Sequence, residues 1–298
     1  MQILRGQDTI VDSSLMETSR HGTESFPFAV YLDDFSVFKA DSICWHWHEE
    51  AQITYIAEGE FYCHVGSEKL LLRPGELIFI NSRALHQIIP CERGLGKLYA
   101  FLWRPELLGR VGGSVYLNCI EPLLSSPLRH VFFPLSHELN RQLQASLRMV
   151  IRAAQEKPPC FELDIVSQLS RIWLRLSRMA EGEAPSRLPT LEKDEEKVKL
   201  AMSYIQANYA EKISLDSIAK AAITNRSELC RCFRRVLDIS PGDFLLQFRL
   251  TQALSMLEDP ELRVAEIAER CGFCSPSHFG SHFARHLGCT PLQYRKSI

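Results

Sequence analysis

In the stretch 44-CWHWHEEAQITYIAEGE-60, His46 and His48 stand one residue apart, and Gln52 follows four residues after His48. Imidazole nitrogens and a side-chain carbonyl are the donors that hold a first-row transition metal or hydrogen-bond a small polar ligand. On a strand, residues separated by one point to the same face, so His46 and His48 converge while Trp45 and Trp47 turn the other way. A second cluster lies far downstream. The run 226-RSELCRCFRR-235 holds four arginines and one glutamate, a net of +3 in ten residues, a density suited to phosphates and base edges. A third set, Cys271, Cys274, His278 and His282, has zinc-ligand residue types. Its cysteines fall in a tight turn, however, and zinc fingers need a longer loop between the ligand pairs, so no metal is assigned there. Nothing in the sequence places Cys44, Cys63 or Cys91 beside a base that would activate a thiol.

The elements that must position these groups differ along the chain. Its 298 residues suggest two domains, and a composition of 46% hydrophobic and 23% charged residues excludes disordered and fibrous classes. The ten cysteines are scattered irregularly, unlike a secreted disulfide framework. No signal-peptide pattern opens the chain and no apolar run is long enough to span a bilayer, so a cytoplasmic protein is expected. The net charge of -2 does not advertise nucleic acid, and residues 191–298 carry 15 Lys and Arg against 14 Asp and Glu. Any such claim therefore rests on local clustering and geometry.

From about residue 26 to 104, short β-rich segments (52-QITYIAEGEFYCHV-65, 70-LLLRPGELIFI-80, 97-KLYAFLW-103) are broken by Gly59, Gly66, Pro74-Gly75 and Gly94, predicting a sandwich or small barrel. The period then changes. In 160–180, Ile165, Leu169, Ile172, Leu176 and Met179 recur at helical steps, with a companion helix over 138–155. Such a pair could cover the β domain or meet a second copy of the chain. The Pro-, Gly- and charge-rich stretch 180–197 reads as a linker, and everything after it as helix.

The helical end contains a repeat. Ile218-Ala219 matches Ile267-Ala268 at an offset of 49. Beyond a turn, Leu229 matches Phe279, Phe233 Phe283, Leu237 Leu287, Ser240-Pro241 Thr290-Pro291, and Phe244 Tyr294, all at an offset of 50. Each half supplies a short helix, a tight turn and a second helix, the arithmetic of a helix-turn-helix. The second turn has Gly272, whereas the first has Ile223 and must manage without a residue that tolerates positive φ. Ser214, Asn225, Ser240 and Thr290 are helix caps, with Asp243 and Gln293 three residues after the last two. A connecting helix over about 241–257 would be ~25 Å long, against successive major-groove faces roughly 34 Å apart.

The run 249-RLTQAL-254, the paired halves, and 263-RVAEIAERCGFCSPSHFGSHFARHLGCTPLQYR-295 resemble the DNA-binding domain of the AraC/XylS family of transcription regulators. The resemblance covers about the last 100 residues. It implies two helix-turn-helix units entering adjacent major grooves. In the first unit the buried stripe Leu229, Cys232, Phe233, Val236 and Leu237 leaves Arg226, Ser227, Cys230, Arg231 and Arg234 outward. By resemblance Ser227, Cys230 and Arg231 face bases, with Arg231 bidentate to guanine, while Arg226, Arg234 and Arg235 hold phosphate. In the second unit Ser277, Ser281, His282 and Arg285 are the candidates. Small side chains at Gly280 and Ser281 imply that this half contributes mostly backbone contacts.

The N-terminal segment resembles the cupin sensor domains of such regulators. His46, His48, Gln52, Gly59, Pro74-Gly75 and His86 fall where metal-binding cupins place their ligands and turns, with neutral Gln52 in place of a carboxylate. The expected site is an effector pocket lined by His46, His48, Gln52 and His86, without a cofactor. Tyr55, Tyr99 or Trp103 are possible walls, and residues 20–34 form an arm near the mouth.

The expectation is thus an α+β chain: a cupin-like β-barrel (1–118), a helical dimerisation segment (119–181), a linker (182–192) and an all-α double helix-turn-helix (193–298). It would act as a non-enzymatic regulator of transcription, more in keeping with activation, responding to a small polar metabolite such as a sugar. The resemblance implies an operator in double-stranded DNA, RNA polymerase and a second copy of the chain as partners, and no membrane. The alternative is a cupin metalloenzyme, an isomerase or dioxygenase, fused to a helical domain.

Overall fold

The computed structural model describes residues 3–5, 11–12, 15–37, 42–180 and 189–297. The chain divides into two compact units, and the main division falls between residues 188 and 189.

The N-terminal unit carries two sheets. The larger takes β1 (Leu4–Arg5), β2 (Phe28–Asp34), β4 (Ala51–Glu58), β7 (Leu77–Ile80), β9 (Lys97–Trp103) and β10 (His130–Phe133) in the order β1-β2-β9-β4-β7-β10. The smaller takes β3 (Ile43–His46), β5 (Phe61–Val65), β6 (Glu68–Leu72) and β8 (His86–Pro90) in the order β3-β8-β5-β6. The inner face of the large sheet (Ile56, Ile78, Ile80, Leu98, Leu102) packs on Phe61, Cys63, Val65, Leu72 and Ile88 of the small one.

The outer face of the large sheet is covered as well. After the short helix α1 (Glu121–Leu124), α2 (Asn140–Glu156) and α3 (Phe161–Ala180) bury Leu143, Leu147, Val150, Ile165, Leu169, Ile172 and Trp173 against Phe28, Ile53, Phe79, Phe101 and Trp103. Trp173 stands edge-on to Phe79 and Trp103, with ring centroids 6.3 Å apart in each case. Each such apolar side chain stabilises the fold by roughly 1.5–3 kcal/mol, which is why the helical pair's apolar stripe lies on this sheet. The segment 119–181, read as helical, also contains β10. Its four residues between Pro127 and Pro134 are too few for a strand period to stand out, yet Val131 and Phe133 join the outer core and Phe132 the inner one.

The regular elements of the C-terminal unit, among its described residues, are all helices: α4 (Pro189–Asn208), α5 (Leu215–Ala221), α6 (Arg226–Leu237), α7 (Pro241–Leu257), α8 (Val264–Arg270), α9 (Pro276–Leu287) and α10 (Pro291–Ser297). Residues 189–192 of the expected linker are therefore the first turn of α4, and its residues 182–188 lie outside the described residues.

The repeat extends to individual hydrogen bonds. Ala222 N donates to Ile218 O, Ile223 N to Lys220 O and Thr224 N to Ala219 O; Cys271 to Ile267, Gly272 to Glu269 and Phe273 to Ala268 are the same three bonds in the second copy. Asn225 and Ser275 then cap α6 and α9 by accepting from Glu228 N and His278 N. Ser240 and Asp243 form a reciprocal capping box at α7. Thr290 and Gln293 exchange the equivalent bonds, from Thr290 N to Gln293 Oε1 (2.8 Å) and from Gln293 N to Thr290 Oγ1 (3.3 Å).

One expectation about the turns fails. Ile223 adopts φ 52° and Gly272 φ 73°, so both turns use the left-handed conformation. The first tolerates a β-branched residue because Ile223 is 85% exposed. The second does not have that room: a Cβ on Gly272 would sit 2.4 Å from Tyr209 O and 2.9 Å from Ala210 O.

Candidate functional site

The histidines gather inside the N-terminal unit. His46 at the end of β3 is the cross-strand partner of His86 at the start of β8. His48 lies just beyond the end of β3, and Gln52 is near the start of β4. Ring centroids lie 4.1 Å apart for His46 and His86, 5.1 Å for His48 and His86, and 5.6 Å for His46 and His48. All four expected residues are buried and together.

Each ring is oriented by its own backbone. His46 Nδ1 faces Cys44 O (2.8 Å), His48 Nδ1 faces Glu50 O (3.0 Å) and His86 Nδ1 faces Ala84 O (2.9 Å). A carbonyl accepts only a proton, so Nδ1 of His46 and of His86 carries the N–H and their Nε2 lone pairs converge, whereas His48 faces an acceptor at each nitrogen, Glu50 O and Gln52 Oε1. The ligating nitrogens of the three rings lie within 4.8 Å of one another. His48 Nε2 lies 2.9 Å from the acceptor Gln52 Oε1, and Gln52 Nε2 donates to Thr54 Oγ1 at 2.8 Å. His86 Nε2 is buried with no hydrogen-bond partner.

Residues that the sequence does not single out complete the cluster. Glu17 Oε2 lies 3.2 Å from His21 Nε2 and 3.9 Å from His46 Nε2, and His21 Nδ1 bonds the Tyr31 hydroxyl at 3.0 Å. Gly22 makes this possible: at φ 87°, a Cβ there would strike Phe26 O at 2.5 Å and Phe28 N at 2.6 Å, so only glycine turns the chain from His21 into β2. Residues 16–21 thus lie beside the cluster, together with Tyr31 and Asp33 of the segment 20–34 expected as an arm. Its neighbour Asp33, on β2, is 5% exposed.

The electrostatics follow from burial. Desolvation pushes His46 down to about 4, with the His48 charge acting in the same direction, and lowers His48 and His86 as well, so these rings are neutral near pH 7. Burial raises Asp33 to about 7, helped by the Glu17 charge. Burial would also raise Glu17, but its contact with His21 and the nearby imidazoles outweigh it and bring Glu17 to about 2. The result is an anionic carboxylate beside three neutral imidazoles.

The aromatic walls are a correction. Tyr55, Tyr99 and Trp103 belong to the outer core under α2 and α3 and turn away from the histidines. The polar lining on the histidine side comes instead from Thr54, Tyr31 and Asp33. Cys63 is buried and raised to about 12 by desolvation, and Cys91 is raised by burial and Glu60, so neither is an activated thiol.

In the C-terminal unit, α6 buries the expected stripe of Leu229, Cys232, Phe233, Val236 and Leu237. Arg226, Ser227, Arg231, Arg234 and Arg235 are exposed and Cys230 half-buried. Every arginine of α6 has a carboxylate partner: Arg226 with Asp216, Arg231 with Glu228, Arg234 with Asp238 and Arg235 with Asp194. Asp194 is 1% exposed. It also accepts from Cys232 Sγ at 3.3 Å, and Glu228 accepts from Lys197 at 2.9 Å. Asp194, Glu228 and Cys232 are close enough to resemble a metal site, but Arg235, Arg231 and Lys197 already hold the two carboxylates. They read as an ion-pair network that fixes α6 on α4.

On α9, Ser277, Ser281 and Arg285 are exposed and His282 is half-buried, its Nε2 3.1 Å from His278 Nε2. Cys271 faces the core, 3.8 Å from Met256 Sδ, and so stands apart from the zinc pattern. Among the described residues, no helix is long and apolar enough to cross a membrane.

Residues 218–297 match the family described as a helix-turn-helix domain, and residues 37–92 match the cupin domain family. An uncharacterized HTH-type transcriptional regulator of Bacillus subtilis, YdeC, is 28% identical over 291 residues, covering 96% of this chain and 98% of its own. The HTH-type transcriptional activator RhaS of Escherichia coli is 23% identical over 164 residues, 55% of this chain and 58% of that protein. A crystal structure of a regulator from Chromobacterium violaceum, described by its AraC-type DNA-binding domain, is 33% identical over 34% of this chain and 89% of that one, with a TM-score of 0.32. With its helix-turn-helix domain over 218–297, its cupin domain over 37–92 and HTH-type transcriptional regulators as relatives, the chain belongs to the AraC-type family of transcriptional regulators.

Proposed function

We propose that this regulator reads two neighbouring major grooves of an operator through α6 and α9, and that a small ligand bound among His46, His48, Gln52 and His86 controls that binding. The observation that carries the DNA reading is the duplicated hydrogen-bond frame, which presents α6 and α9 in equivalent settings. In the first, Arg231 with Ser227 and Cys230 reads bases, and Arg226, Arg234 and Arg235 hold phosphates. In the second, Ser277, Ser281, His282 and Arg285 contribute mostly backbone contacts. Selection of bound sequences from random DNA, followed by footprinting, tests this: two protected half-sites about one helical turn apart are expected. Arg231→Ala should relax preference at one base pair at a cost of ~1–3 kcal/mol, whereas Arg234→Ala should weaken all sequences alike.

The ligand that the sensor donors fit best is a divalent first-row metal ion. His46 and His86, with Nδ1 tied to carbonyls, each offer an Nε2 lone pair, and His48 offers a third once its Nε2 exchanges Gln52 Oε1 for the ion, a set suited to Mn, Fe, Co, Ni or Zn. The buried, unpartnered His86 Nε2 costs ~1–3 kcal/mol unless something takes its lone pair. His46, His48 and His86 would hold the ion, which supplies a fixed positive charge at the centre of the cluster. A sugar-like metabolite is the second reading, favoured by the hydroxyl and carboxyl of Tyr31, Thr54 and Asp33 beside the same residues. Titration of the purified protein with Co2+ and with candidate sugars separates the two.

The ligand acts through its difference in affinity for two arrangements of the protein. Activation through RNA polymerase in the cytoplasm is the proposed output, in keeping with RhaS, a transcriptional activator. The side of the helical pair that carries exposed Leu174 beside half-buried Leu139 and Met179 is the proposed meeting place of two copies; Leu174→Glu should lower the sedimentation coefficient if so.

A further inference from the structure

We propose that Glu17, on the segment that precedes β2, is the carboxylate ligand of the metal ion held by His46, His48 and His86, so that binding the ion fastens residues 16–21 over the site. The inference rests on the metal reading of the sensor and adds to it a residue outside the matched cupin segment, 37–92. Among the donors of that segment, the oxygen comes from Gln52, which is neutral and already donates to Thr54. An ion with a charge of +2 among neutral imidazoles gains most from an anionic oxygen, and Glu17 supplies one.

The geometry places Glu17 at the edge of the three-histidine set, whose ligand nitrogens lie within 4.8 Å of one another. Donors at ~2.1 Å from one ion stand roughly 3.0 to 4.2 Å apart, and Glu17 Oε2 is 3.9 Å from His46 Nε2. The carboxylate is nearly buried, with its side chain 10% exposed. Among the described residues, the groups that face it are the imidazoles of His21, His46 and His48 together with Tyr31, Asp33 and Glu50, and none of these is a permanent cation.

The segment is also fixed where it needs to be. His21 is 5% exposed and spans from Glu17 to the Tyr31 hydroxyl on β2, so one end of the arm is anchored to the sheet. At the other end, Glu17 N donates to Trp47 O at 2.9 Å, and Trp47 lies between His46 and His48. The arm thus runs beside residues 46–48, which carry two of the ligands, and its carboxylate lies 3.9 Å from the nearer imidazole, that of His46. Without the ion the arm keeps its contacts with Trp47 and through His21, but its carboxylate has no ligand to fasten.

The test uses the full-length protein and Co2+ as the probe. Visible absorption reports coordination, and trypsin cleavage after Arg20, which is exposed, reports arm closure. Wild type should bind one Co2+ and become at least tenfold slower to cleave at Arg20. Glu17→Gln, close to isosteric, should bind Co2+ at least tenfold more weakly, with an altered spectrum and no protection at Arg20. His86→Asn should lose binding altogether, and far-UV circular dichroism checks that both variants fold. If Glu17→Gln matches wild type in affinity, spectrum and protection, Glu17 is no ligand and the proposal fails while the three-histidine site stands. If wild type binds no Co2+, the metal reading fails and takes the proposal with it.

Discussion

Replacing Ile223 with glycine should make the C-terminal unit more stable. Ile223 sits at φ 52°, a region that costs a Cβ-bearing residue ~1–2 kcal/mol and is least suited to a β-branched one. Its side chain is 85% exposed, so glycine forfeits almost no apolar burial. Glycine's greater freedom in the unfolded chain opposes this by ~0.5–1 kcal/mol. The net is a gain of about 0.5–1 kcal/mol, or about 2–4 °C at ~4 °C per kcal/mol for a unit of about this size. The protein provides its own reporters. Its four tryptophans, at 45, 47, 103 and 173, all lie in the N-terminal unit, whereas the described C-terminal residues outside turns are helical. Thermal unfolding followed at once by circular dichroism at 222 nm and by tryptophan fluorescence therefore separates the units. The helical transition not shared by tryptophan should rise and the tryptophan transition should stay put. Ile223→Ala, which keeps the strain, should gain little. An unchanged or lowered helical transition in Ile223→Gly would refute the strain argument.

Three further outcomes follow from the structure. Gly272→Ala should destabilise the C-terminal unit by ~3 kcal/mol or more, because positive φ and a Cβ 2.4 Å from Tyr209 O act together; a loss below ~1 kcal/mol in the same melt would contradict this. Glu228→Gln frees Arg231 and Lys197 from their shared carboxylate. Gel-shift titrations should show severalfold tighter DNA binding and a steeper salt dependence, and weaker binding at every salt concentration would count against Arg231 as a contact. Asp33→Asn should stabilise the N-terminal unit in a pH-dependent way. The folded-state pKa of Asp33, raised from 3.8 to about 7, means that its contribution to stability is full below pH 3.8 and is lost as pH rises through 7. Above pH 7 the loss approaches ~4 kcal/mol. Urea midpoints by tryptophan fluorescence, with chelator present, should favour the variant at pH 8 and converge on wild type near pH 4; equal midpoints at pH 8 would exclude the effect.

The helical half is legible in the sequence because its information is local. Caps, a three-to-four-residue apolar period and a second copy of the same pattern all lie within a few turns of the residues they position. The buried stripe of α6 and the limits of α7 agree residue for residue with the sequence reading. The exception there is also instructive. A turn that needs positive φ is normally announced by glycine, but exposure lets Ile223 occupy it, and exposure is a property of the packed unit rather than of a short motif.

The barrel is legible as a class and not in its phase. β4 buries Ala51, Gln52, Ile53 and Thr54 in succession because the small sheet covers one face and α2 and α3, far later in the chain, cover the other. A strand buried on both sides loses the polar alternation that tells inside from outside. Tyr55, Tyr99 and Trp103 therefore read as pocket residues when they belong to the helix-covered core. Distance along the chain also hides the partners that set the chemistry. Glu17 precedes His46, and Asp194 precedes Arg235, by long intervening stretches, with no spacing rule to connect them. Yet each decides what its partner can do: Glu17 puts a negative charge beside three neutral imidazoles, and Asp194 with Glu228 ties up the guanidiniums that would meet DNA. The types of residue that could bind are written in short motifs, whereas the charges that balance them come only from tertiary contact. On this view, loss of Glu17 should leave the three histidines in place and remove only the anion, while loss of Glu228 should leave α6 in place and release its charge.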